Sequence, residues 1–102
     1  MVRSFLRNIR SLIDIHSLPR SERRLVFYCE GRNYWVHLQG LIRQILDMTN
    51  LHICFLSSSE NDPGLVFEHP NYKSFEIGEG FCRDWLFANI DADVLVMTMP
   101  DL

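Results

Sequence analysis

RLVFYCEGRNYWVHLQGLIRQILDMTNLHICFLS, residues 24–57, holds two short apolar runs on either side of a stretch with helical spacing. The first run, Arg24 to Glu30, is apolar from Leu25 to Cys29 and closes on Glu30-Gly31. The second, His52 to Ser57, is apolar from Ile53 to Leu56. Continuous rather than alternating hydrophobicity marks strands buried on both faces, as in a parallel sheet. Between the runs, Tyr34, Leu38, Leu41, Ile42 and Ile45 fall on one stripe of a helix over 33–49. Asn33 is its expected N-cap and Asn50 its stop. Strand, glycine turn, helix and strand make a βαβ unit with a right-handed crossover.

Downstream, SSSENDPG (57–64) is a loop by composition, and residues 66–70 favour no single state. Residues 72–77 alternate and predict a third strand at a sheet edge, ended by Gly78-Glu79-Gly80. A helix over 81–90 should turn Cys82, Trp85, Leu86 and Ile90 inward. Residues 93–97 read as a fourth strand, apolar on both sides, before Thr98-Met-Pro-Asp-Leu102. The order α-β-α-β-β-α-β predicts an α/β fold with a Rossmann-like parallel sheet. Because the fourth strand is as apolar as an interior one, the fold is expected to continue past Leu102.

Upstream, residues 2–16 have helical period, with Val2, Phe5, Ile9, Leu12 and Ile13 on one face and Leu6 at its border. Residues 1–23 are read as a basic amphipathic leader and link, and 24–102 as an incomplete Rossmann-like domain. The leader has two open readings: a helix packed on protein, or one lying on anionic membrane through residues 2–16. Arg3, Arg7, Arg10, Arg20, Arg23 and Arg24 stand against Asp14 and Glu22, a local net of +4. That leaves −7 for the rest of a 102-residue chain whose total is −3. This balance gives no reason to expect nucleic acid as a partner.

Cys29, Cys54 and Cys82 are odd in number and widely spaced, which suggests buried thiols in a reducing compartment. No apolar run reaches the roughly 20 residues that span a bilayer. A soluble, cytoplasmic protein is expected.

In a parallel sheet, ligands bind beyond the carboxyl ends of the strands. Four loops qualify: Glu30-Gly31-Arg32-Asn33, Ser57-Ser58-Ser59, Gly78-Glu79-Gly80 and Thr98-Met99-Pro100-Asp101. Gly31 and Gly80 each precede a helix, where bare N–H groups attract anions, although a glycine there can equally serve geometry alone. Arg32 can add a bidentate contact to phosphate. There is no GxGxxG and no P-loop lysine, so no resident cofactor is expected. The triple serine has no neighbouring base, and His16, His37, His52 and His69 lack metal-ligand spacing. Trp35 and Trp85 read as packing residues.

The blocks LVFYCEGRNYWVHLQGLIRQIL, ICFLSSSENDPGL, FEIGEGFCRDWLF and DADVLVMTMPDL resemble the N-terminal part of bacterial CDP-glycerol glycerophosphotransferase-like proteins, from about Leu25 to Leu102. The resemblance implies a GT-B type transferase with two Rossmann-like domains facing a cleft. It implies CDP-glycerol bound by a C-terminal domain outside this chain. A polyol-phosphate acceptor would meet the N-terminal domain at the inner face of the cytoplasmic membrane, in the synthesis of teichoic-acid-like polymers. Gly31, Arg32, Asn33, Gly78, Glu79, Gly80, Thr98 and Asp101 would line the acceptor wall. None of the four histidines matches the family's catalytic one, so no catalytic residue is assigned and these residues alone are expected to be inactive. The alternative from the residues is a free-standing, non-catalytic flavodoxin-like binding module.

Overall fold

The structure is a computed structural model describing residues 2–30, 34–78, 81–90 and 92–97, with the side chains of 2–5, 81–83 and 87 not described. Its elements are α1 (Val2–Ser17), β1 (Leu25–Cys29), α2 (Trp35–Met48), β2 (Ile53–Ser57), β3 (Tyr72–Glu76), α3 (Phe81–Asn89) and β4 (Val94–Met97). Short 3-10 turns lie at Arg20–Glu22 and Pro63–Leu65. The four strands form one all-parallel sheet in the order β3-β2-β1-β4. The first four strands of a Rossmann-type sheet lie in this order; a flavodoxin-like sheet would place β3 next to β1 instead.

The two central strands explain the layers. Every residue of β2 is buried, as are Val26 to Cys29 of β1, so each face of the sheet needs cover. On one face Phe27, Cys29, Ile53 and Phe55 pack against Trp35, Leu38, Ile42 and Leu46 of α2. On the other, Val26, Tyr28, Cys54 and Leu56 meet Leu12 and Ile15 of α1 and Leu86 of α3. Helix α1 is thus a layer of the α/β unit. It runs antiparallel to the strands, from Arg7 beside Glu60 and Glu76 at their carboxyl ends to the turn where Arg20 meets Asp93 at their amino ends. No helix among the described residues is long and apolar enough to cross a membrane.

The helical faces differ from the expected ones. In α1 Ile15 is fully buried, whereas Ile13 and Leu6 are exposed. The sheet takes the stripe through Leu12 and Ile15, and a second apolar stripe faces water. In α2 the buried stripe starts at Trp35 and runs through Leu38, Ile42 and Leu46, leaving Leu41 exposed. Its N-cap position is Tyr34, whose side chain does not cap; Asn33, the expected cap, lies outside the described residues. The helix ends at Thr49, whose hydroxyl donates to the Ile45 carbonyl at 2.6 Å. Trp85, expected inward, is half-exposed and sits edge-on to His16 with ring centroids 5.1 Å apart. β3 lies at one edge, as expected. β4 lies at the other, with Val94, Leu95 and Met97 exposed.

An aromatic cluster holds the long β2–β3 connection down. Trp35 packs edge-on to Phe55 and against Phe67, Phe67 meets Tyr72, and the Arg43 guanidinium lies 4.7 Å above the Phe67 ring. The buried Tyr72 hydroxyl donates to the Gly64 carbonyl at 2.5 Å. A Cβ at Gly64 would meet the Phe55 ring at 2.5 and 2.6 Å and the Trp35 ring at 2.9 Å, so the rings require glycine there. At Gly40, inside α2, a Cβ would meet nothing within 4 Å. Gly64→Ala is therefore expected to lower stability by about 1–3 kcal/mol through overpacking. Gly40→Ala should raise it by about 0.5–1 kcal/mol through helix propensity. Urea unfolding of both variants checks the opposite signs.

Burial also sets the behaviour at high pH. It pushes the Cys54 thiol up from 9.0 to about 12, against the lowering charges of Arg23 and Lys73. Burial, reinforced by Asp62, raises the Tyr72 phenol as well. A raised folded-state pKa means that the neutral group's stabilisation is complete below the unfolded value and fades as pH climbs through the folded one. The melting temperature is expected to fall as pH rises from 9 toward 12, and Cys54→Ala should flatten the slope.

Candidate functional site

The parallel arrangement brings the carboxyl ends of all four strands to one edge. Cys29 stands in register with Ser57 and Ser57 with Glu76, while Tyr28 aligns with Met97. Of the residues expected to line a site, Gly31, Arg32, Asn33, Glu79, Gly80, Thr98 and Asp101 lie outside the described residues. Gly78 is described. It follows β3, is buried, and has φ +69°, a conformation that L side chains rarely adopt. The Asn8 amide of α1 presses against the space a Cβ would need there. Asn8 Oδ1 is buried without a hydrogen-bond partner among the described residues.

The serine loop is a built structure. Ser57 and Asp62 are both buried, and the Ser57 hydroxyl donates to the Asp62 carboxylate at 2.7 Å. The same hydroxyl oxygen accepts from the Ser59 N–H at 3.1 Å. The other Asp62 oxygen accepts from the Gly64 N–H at 2.9 Å, capping the turn Pro63–Leu65. Ser58 ties the loop to the end of β1: its N–H donates to the Cys29 carbonyl at 3.2 Å and its hydroxyl to the Glu30 carbonyl at 3.0 Å. With its hydrogen bonds directed inward, Ser57 is a loop anchor rather than a nucleophile.

The rim around this loop carries Glu30, Glu60 and Glu76. Arg7 reaches across from α1, 3.1 Å from Glu60 and 3.9 Å from Glu76. The described rim is thus rich in hydrogen-bond acceptors and hydroxyls, with one arginine between two carboxylates. That chemistry suits a ligand offering hydroxyl groups better than one offering bare phosphate. Among the described residues no group of three or more His, Cys, Asp or Glu could hold a metal ion.

Sequence reasoning missed Arg7 and Asn8, because nothing in residues 2–16 tells where α1 docks. It also missed Asp62, although Asp-Pro-Gly is a capped-turn signal in the sequence. No protein-family model, curated protein or solved structure matches this chain.

Gly78 joins two constraints, dihedral strain and the Asn8 contact. Gly78→Ala is expected to cost about 1–3 kcal/mol of stability. Adding Asn8→Ala should restore only the part due to the contact. Comparing Gly78→Ala, Asn8→Ala and the double variant by urea unfolding separates the two, and full recovery in the double variant would remove the dihedral term.

Proposed function

We propose that this chain is the acceptor-side, Rossmann-like portion of a GT-B type transferase similar to the CDP-glycerol glycerophosphotransferases, working at the inner face of the cytoplasmic membrane. One observation carries the reading. The blocks that resemble the family, EGRNYW, LSSS with DPG, FEIGEG and VLVMTMPDL, contain or directly follow the carboxyl ends of four parallel strands. They therefore start from the edge at which α/β sheets hold ligands. The rim chemistry supports the hydroxyl end of a polyol-phosphate acceptor: Glu30, Glu60 and Glu76 can take hydrogen bonds from its hydroxyls, Ser58 and Ser59 add to them, and the acceptor's phosphates belong to Arg32 in this reading.

In the proposed reaction, an acceptor hydroxyl oxygen bonds to the β-phosphorus of CDP-glycerol as the bond to the CMP oxygen breaks. A histidine outside residues 1–102 takes the hydroxyl proton. This chain's part is to bind and orient the acceptor. The donor's nucleotide belongs to the facing domain.

Nuclear magnetic resonance titration tests the division of labour. A short glycerol-phosphate oligomer is expected to shift the amide signals of Glu30, Ser58, Ser59 and Gly78, while CDP-glycerol at the same concentration leaves them in place. Micromolar binding of CDP-glycerol would put the nucleotide site on this chain and overturn the assignment. Binding of neither would favour a binding module for some other ligand.

A further inference from the structure

Helix α1 carries more apolar surface than the sheet uses. Leu12 and Ile15 are in the core, yet Leu6 is 59% exposed and Ile13 61%, with Ile9 partly covered between them. Spaced three and four residues apart, Leu6, Ile9 and Ile13 form a stripe of their own. Along one flank of the stripe runs an open groove of about 430 Å³, which reaches His16 and Ser17 of the same helix and Trp85 of α3. The other flank carries Arg10 and Asp14, both exposed and neither in an ion pair among the described residues. Nothing in the core needs this surface, and exposing it to water is unfavourable.

The charges indicate what covers it. An arginine and an aspartate four residues apart, on one flank of an apolar stripe, are complementary to a copy of themselves. A two-fold axis between two antiparallel helices sets the same flank of each against the other. With that axis level with Leu12, Arg10 of one copy stands opposite Asp14 of the other, and Asp14 opposite Arg10. Each lies two residues from the axis, in opposite directions. The same register puts the two Ile13 side chains next to each other across the axis. It also brings Leu6 of each copy to the Ser17 end of the other's groove. Parallel helices about a two-fold axis would set the charged flank of one copy against the groove flank of the other and leave the charges unmatched. We infer that the outer stripe of α1 pairs with the same stripe of a second copy of this chain, antiparallel about a two-fold axis.

This seam lies apart from the strand-end site and does not depend on the transferase reading. Helix α1 starts at the carboxyl ends of the strands, where Arg7 approaches Glu76. An antiparallel seam therefore points the two rims in opposite directions, at either end of a helix of 16 residues, about 24 Å long. One helix a side buries less than the about 1,200 Å² at which stable interfaces begin, so self-association in the micromolar range is expected.

Sedimentation equilibrium from low to high micromolar concentration is expected to show monomer and dimer in exchange. Ile13→Glu alters an exposed side chain, so it should keep the melting temperature of the dilute monomer and abolish the dimer. Arg10→Asp and Asp14→Arg each set like charges across the seam and should weaken association by about tenfold. Mixing the two single variants should restore it, because each then supplies the charges that the other lacks. A chain that stays monomeric at high micromolar concentration, a dimer that Ile13→Glu leaves intact, or single variants that fail to associate when mixed would overturn the inference.

Discussion

A pair of neighbouring strands with no side open to water governs this molecule. From Val26 to Cys29 and from Ile53 to Ser57 every side chain is buried, so both faces of the β1–β2 pair must be roofed. The chain has few ways to do this. The crossover from β1 to β2 supplies α2 for one face, and the aromatic residues of the β2–β3 connection extend that roof around Trp35. The opposite face is covered from both ends of the sequence, by α1 before the sheet begins and by α3 before its last strand. Parallel strands so roofed have their carboxyl ends aligned, and the candidate site is a by-product of that alignment.

The same geometry divides the polar residues into two groups. At the amino ends, Arg20 and Arg24 hold Asp93 while Lys73 holds Glu22, an arrangement that fastens connections and offers nothing further. At the carboxyl ends, Ser57 and Asp62 satisfy each other in the interior. Glu30, Ser58, Ser59, Glu60 and Glu76 keep some access to solvent. A loop made rigid from below and polar above is the arrangement that a binding site needs, because the ligand then orders little on arrival.

Strands β1, β2 and β4 were legible in the sequence because four or five consecutive apolar residues between turn signals leave few alternatives, and β3 was legible from its alternation. The parallel sheet followed from the same runs, and the loop from its turn residues. Helix faces were not legible to the same degree. A periodicity argument gathers apolar residues onto one side, but α1 has two apolar stripes, and only docking shows that Ile15 belongs to the core and Ile13 to the surface. In α2 the tryptophan at position 35 drew the buried stripe one residue round from the expected one. The Ser57–Asp62 pair spans five residues of loop, and no periodic rule links its partners. Arg7 and Asn8 reach the rim through tertiary packing alone.

The docking of α1 has a consequence for the order of assembly. Its core partners include Ile77 and Leu86, which leave the ribosome roughly 70 residues after Ile15. At usual rates of synthesis, about 5–20 residues per second, the helix waits roughly 4–14 s for the rest of its core. The βαβ unit of β1, α2 and β2 can meanwhile close through contacts much nearer in sequence. A nascent chain of this protein thus carries an amphipathic segment with both of its apolar stripes uncovered for seconds. An element made before the whole sheet is thus among the last to be fixed in place.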